Sequence, residues 1–165
     1  MKRIVVYTLP AISLLISCVD ANEPFRSSMV EFDFPADWAI SADSTGGSLF
    51  VELISSDSNS VLLTAMQGVM PPEFILDGFW ANYSRSLPSS LQIEKSDSIR
   101  ICYFAGVEAR CLDYIFDSGG IAMQGTMYCF NASGNTYTLQ RYASQSALKS
   151  FIENSEIIEN TIYFP

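Results

Sequence analysis

The sequence predicts an α+β domain, an antiparallel β-sheet with helices packed on it. Short segments of alternating apolar and polar residues recur between clusters of Gly, Ser, Asn and Asp, which is the mark of strands joined by turns. One apolar stripe at helical spacing interrupts them, and a second follows near the end of the chain. Helices set apart from a run of hairpin-connected strands give this class rather than a parallel α/β sheet.

Taken in order, Met29-Val30-Glu31-Phe32-Asp33-Phe34 places Val30, Phe32 and Phe34 on one face of a strand and Glu31 and Asp33 on the other. Pro35 stops its ladder, and Trp38 to Ser41 resumes an extended run before the turn residues Ser44-Thr45-Gly46-Gly47. Ser48 to Ile54 and Val61 to Val69 are strong strands joined through the polar segment around Asp57-Ser58-Asn59-Ser60. Pro71, Pro72 and Glu73 open a helix: proline suits a first turn whose amide hydrogens lack partners, and an acid there complements the helix dipole. Leu76, Phe79, Trp80, Tyr83 and Leu87 share a face that reads as core, and the helix ends near Pro88. Leu91 to Glu94, Ile101 to Ala105, Val107 to Phe116, Ile121 to Phe130 and Tyr137 to Tyr142 then form a meander. Ser144 is placed to cap a short helix with Ala147, Leu148, Phe151 and Ile152 on one side, and Ile157 to Phe164 closes the chain.

Residues 1 to 17 stand apart from this body. Lys2 and Arg3 precede an apolar run from Ile4 to Ile16, and Leu15-Ile16-Ser17-Cys18 resembles the lipobox of a bacterial lipoprotein signal, with cleavage ahead of a lipid-modified Cys18. The run falls short of the roughly 20 residues that span a bilayer. Val19-Asp20-Ala21 offers the other route, plain secretion with cleavage before Asn22. The expected organisation is a signal peptide over 1–17, a tether over 18–27 and one domain over 28–165. Acyl chains on Cys18 would be the only membrane attachment, on the cell envelope with the body facing the periplasm.

Cleavage there leaves 148 of the 165 residues, with seven basic against 18 acidic residues and a formal charge of −11. Such a surface repels phosphate backbones, so nucleic acid is excluded as a partner and a basic protein is favoured, with plain solubility the alternative use of the charge. With 48% hydrophobic and 16% charged residues the body can bury a core. The chain has no histidine, which removes the commonest general base and metal ligand. No nucleophile elbow, phosphate loop, zinc-protease or calcium-loop motif occurs, and no cofactor or metal is expected. Glu31 and Asp33 share a strand face but make a poor calcium pair; they, Glu108, Asp113 and Asp117 read as solvated acids. Asn82-Tyr83-Ser84 and Asn131-Ala132-Ser133 match the glycosylation pattern by chance in a bacterial protein.

Beyond Cys18 there are Cys102, Cys111 and Cys129, so one thiol is left over from any internal disulfide. A two-residue Gly106-Val107 loop would place Ala105 opposite Glu108 and Cys102 opposite Cys111. Cys111 with Cys129 is the rival, needing an odd-length loop around Gly119-Gly120, and three free thiols packed as small hydrophobes is the third arrangement.

The Phe34-Pro35-Ala36-Asp37-Trp38 element, followed by two strands, a helix, a meander with Gly106 in a hairpin, extended Tyr137-Thr138-Leu139 and a late helix around Phe151, resembles the PsbP-like superfamily from about Met29 to the end. That superfamily includes thylakoid-lumen photosystem proteins, a Ran-binding import factor and the bacterial DcrB lipoproteins. The resemblance implies the fold and a non-catalytic role in binding or assembly. The expected function is therefore a cell-envelope lipoprotein, not an enzyme, acting as a protein-binding or accessory module. The alternative is a periplasmic immunity protein that neutralises a secreted antibacterial toxin. A carrier of small apolar ligands and a histidine-free hydrolase using Glu31 or Asp33 are further readings.

Overall fold

A computed structural model describes residues 22–86, 93–95 and 98–165, with the side chains of 83–86 set aside. The leader, Cys18 and the helix-face residues Tyr83 and Leu87 lie outside the described side chains. No described helix is long and apolar enough to cross a membrane.

The chain opens with a ribbon of two antiparallel strands, β1 (Asn22–Arg26) and β2 (Glu31–Pro35). Asn22 onward, within the expected tether, is thus paired structure. Pro24 is tolerated because β1 is an edge of this ribbon and needs no outward donor. Trp38 N–H donates to Pro35 O at 3.0 Å. That turn carries the chain into β3 (Ala39–Thr45), β4 (Ser48–Ile54) and β5 (Ser60–Gln67), then into α1 (Pro72–Ser86). After β6 (Ile93–Lys95) come β7 (Arg100–Phe104), β8 (Val107–Ser118), β9 (Ile121–Ala132), β10 (Asn135–Ser144) and α2 (Leu148–Thr161). The main sheet has eight antiparallel strands in the order β3-β4-β5-β10-β9-β8-β6, with β7 paired to the other half of β8.

Strand alternation gives the sheet two working faces. On β9, Tyr128 and Phe130 point to one side and Met127 and Cys129 to the other. The first side is covered by α2 and the β1–β2 ribbon. Phe151 and Ile158 of α2 and Phe32 and Phe34 of β2 join Leu49, Val51, Leu53, Val61, Leu63, Phe104, Tyr137 and Leu139 in the larger core. Trp38 stacks on Phe151 at 5.4 Å between ring centres, so the Pro-x-x-Trp element is a turn that lowers an indole onto α2. The second side carries α1, whose Leu76 meets Tyr114, Met127 and Cys129 in a smaller core.

Two local expectations are corrected. The β7–β8 turn is Ala105-Gly106, with φ of 50° and 76°, a type I′ geometry, and not Gly106-Val107. Phe104 therefore faces Val107, Cys102 faces Ala109, and Cys111 faces Arg100. The late helix is not short: α2 continues through Ile157 to Thr161, because Phe151, buried Ser155 and Ile158 keep the helical stripe against the sheet. Ser144 ends β10, and its hydroxyl accepts the Ala147 amide at 3.3 Å, one residue before the helix begins. The chain ends on a β-bridge in which Glu31 and Tyr163 exchange both backbone bonds, at 2.9 and 2.8 Å.

Candidate binding surface

The acids picked out from the sequence are mostly engaged by cations of their own neighbourhood. Arg26 lies 3.4 Å from Glu31 and 3.0 Å from Asp33, so these carboxylates close the ribbon. Asp113 takes Arg100 at 2.9 Å and the Thr126 hydroxyl at 2.7 Å. Glu108 pairs with Arg110, and Asp117 accepts the Gly120 amide across its turn at 2.8 Å. Of the two glycosylation-pattern asparagines, Asn82 is exposed on α1 while Asn131 donates to Met70 O.

Cys102, Cys111 and Cys129 carry free thiols. Cys102 and Cys111 share the face under α2, diagonal to one another rather than directly opposed as the Gly106-Val107 loop would have placed them. Burial, and then contact with Cys111, pushes the Cys102 thiol up to about 12. Cys129 sits beside Arg110 in register and faces α1, while Cys111 faces Tyr128 on the opposite side. The two-residue Gly119-Gly120 turn sets that parity, and it turns Cys111 and Cys129 away from each other. Burial also raises the Cys129 thiol to about 12.

On the α1 side, an ion pair ties the helix to β8, and polar contacts within the sheet order the surface beneath it. Arg110 Nε reaches Glu73 Oε1 at 2.6 Å and Arg110 Nη1 reaches Glu108 at 2.9 Å. The Glu73 carboxyl lies below its ordinary value, first through the bond from its own backbone amide in the opening turn and then through Arg110. Gln140 donates to the buried Tyr114 hydroxyl, and the Tyr114 ring lies over Gly125, where a Cβ would overlap it. Because the folded pKa of Glu73 is depressed, its pairing stabilises the protein above the unfolded value, 4.5, and that contribution is lost as pH falls through the folded value. Glu73→Gln should accordingly melt below wild type at pH 7, with the difference closing under acid conditions in a thermal unfolding series.

Helix α1 spans only the β8–β9 half of its face. Among the described residues nothing covers the same face on β3, β4 and β5. Leu49, Val51 and Leu53 of β4 point into the larger core, so Phe50, Glu52 and Ile54 point out, with Phe50 47% exposed. The outer rows run Asp43–Phe50–Thr64 and Ser41–Glu52–Leu62 across the three strands, forming the floor of a shallow groove of about 300 Å3. Among the described residues neither Asp43 nor Glu52 makes an ion pair. A signal for this was present in the sequence and is a matter of absence: from Ser27 to Ser84 the chain has no lysine or arginine, yet it carries Asp37, Asp43, Glu52, Asp57 and Asp77 besides the paired acids.

A second concavity, about 580 Å3, opens at the end of the sheet between the β4–β5, β8–β9 and β10–α2 connections, lined by Asn59, Phe116, Met123 and Tyr142 among others. Asn59 is structural there, its side chain accepting the Ser144 amide at 3.0 Å.

Solved structures share this architecture. Cyanobacterial PsbP (CyanoP) from Synechocystis sp. PCC 6803 superposes with a TM-score of 0.65 at 9% identity, over 97% of this chain and 99% of its own. The fold is PsbP-like. A second similar structure is LpqN, involved in cell envelope biogenesis of Mycobacterium tuberculosis, with a TM-score of 0.52 and 16% identity over 90% of this chain and 88% of its own. A protein of Bacteroides thetaiotaomicron VPI-5482 follows at 0.51 and 12%, over 83% of this chain and 45% of that one. Neither a protein-family sequence model nor a curated protein matches the chain. The PsbP-like fold is held in common while the sequence is not, so each structure's role must be argued from its own surface.

Proposed function

We propose that the chain is a non-catalytic binding module of the bacterial cell envelope, tethered by acyl chains on Cys18, that docks a basic protein on the outer face of β3–β5. The observation that carries this reading is the pairing of an exposed apolar floor at Phe50 with two carboxylates, Asp43 and Glu52, that no described cation neutralises. Exposed apolar surface rimmed by like charge suits a partner of opposite charge, which it steers at long range and seats by burial. The lipobox-like leader and the structural likeness to an envelope-biogenesis protein support the location. A chain without histidine, whose best-placed acids are bound by arginines, has little with which to move protons.

Two measurements test it. In a bacterial host, wild type should take up labelled palmitate and sediment with membranes, and Cys18→Ala should do neither; equal labelling of both would refute the anchor. In crosslinking on intact cells, Asp43→Lys/Glu52→Lys should lose the principal protein adduct of wild type while retaining its melting temperature. An unchanged adduct would remove the docking face.

A further inference from the structure

We infer that β3 is an acceptor edge, at which an extended segment of the partner, basic and apolar at alternate positions, adds as a ninth strand to the sheet. The inference rests on the proposed role as a protein-binding module and names how that binding is made.

The two edges of the sheet differ in kind. On the far side, among the described residues, β8 is bordered by two strands, β6 over Ile93–Lys95 and β7 over Arg100–Phe104, with Lys95 and Arg100 on them. Divided, cation-bearing edges are how proteins discourage further pairing. The β3 edge has none of these features. It is seven residues long, exposed throughout, in unbroken register with β4, and free of proline, lysine and arginine.

Its hydrogen-bonding phase follows from the turn. Gly46 and Gly47, at φ of 58° and 79°, form a two-residue loop closed by Thr45 and Ser48. Thr45, Asp43, Ser41 and Ala39 therefore bond inward to β4, and Ser44, Ala42 and Ile40 direct their amides and carbonyls outward. An added strand would bond to those three residues. Its side chains would extend the existing rows. On the outer face, a cation beside Asp43 meets that carboxylate, and one beside Ser41 reaches across this small residue to Glu52. On the other face its neighbours are Ile40 and Ala42, which continue the rows of buried Leu53 and Val51, so apolar residues belong there. A second copy of this chain is disfavoured at the same edge, since it would bring Asp43 and a net charge of −9 against their like.

The probe is a nine-residue blocked peptide of alternating lysine and valine, with two controls: glutamate in place of lysine, and the lysine peptide N-methylated at every second backbone nitrogen. Titrated calorimetrically into the isolated protein, the lysine peptide should bind, the glutamate peptide should not, and N-methylation should weaken binding about tenfold or more. Hydrogen exchange should show the Ile40, Ala42 and Ser44 amides becoming protected on binding. Ala42→Pro removes one outward donor without touching the β4 ladder, and it should weaken the peptide about tenfold at unchanged melting temperature. Binding that ignores N-methylation and Ala42→Pro would overturn strand addition yet leave the acidic docking face standing. Self-association abolished by Ala42→Pro would assign the edge to a second copy and overturn the inference. If Asp43→Lys/Glu52→Lys leaves the cellular adduct intact, the broader reading fails, whatever the peptide does.

Discussion

Phe130→Ala should cost the fold about 4 kcal/mol, lowering the melting temperature by roughly 10–15 °C. Phe130 is fully buried in β9 and is the ring on which three others converge. It stacks with Phe104 and Tyr137, each 5.5 Å away, and takes Phe164 edge-on at 5.4 Å. Its removal leaves a void that strands fixed on both sides cannot close, so the lost transfer energy and the cavity add. The loss also spreads. Tyr137, whose hydroxyl donates to Met29 O at 2.8 Å, and Phe164 join the sheet to the ribbon and the chain end. Chemical unfolding should show a reduced midpoint. A shift under about 1 kcal/mol would mean that this aromatic group is not the centre of the core.

Gly125→Ala should destabilise by about 1–3 kcal/mol, a large effect for one methyl group. The position has ordinary strand geometry, and what requires glycine is the Tyr114 ring lying across it, directly opposite in register. A methyl group there must lift the ring, and with it the bond from Gln140 and the contacts to Leu76 and Trp80 under α1. The second variant in the test is Tyr114→Leu. In a double-mutant cycle the Gly125→Ala penalty should shrink by about 1 kcal/mol or more once the ring is gone. Additive losses would show that the ring and the methyl group do not meet.

Much of this fold was legible because its strands and turns agree locally. Alternation in Met29–Phe34, the apolar run Ser48–Ile54 and the proline pair ahead of Glu73 named β2, β4 and α1 with nearly their observed limits. The β7–β8 register was not legible. Two central pairs, Ala105-Gly106 and Gly106-Val107, both offer glycine for a primed turn, and the chain takes the one that puts alanine at positive φ. Both primed turns match the twist of the flanking strands, so the local residues do not choose between them, and a shift of one residue in the turn moved Cys102 from facing Cys111 to facing Ala109. The length of α2 was hidden by Asn154 and Ser155, polar residues that look like an ending until Ser155 proves small enough to lie against the sheet. The open face of β3–β5 was hidden for a different reason. Apolar residues on both phases of β4, Leu49 and Val51 with Phe50 and Ile54, ordinarily indicate a strand covered twice, and the placement of α1 over β8 and β9 leaves one side open among the described residues.

The broken border formed by β6 and β7 has a consequence for crowding at a membrane. A fibre grown edge to edge needs two compatible ends on every unit, one to give and one to receive. Here β3 is long and plain, while among the described residues the opposite border is divided between β6 and β7 and carries Lys95 and Arg100, so copies concentrated side by side lack a matched pair of edges for joining sheet to sheet.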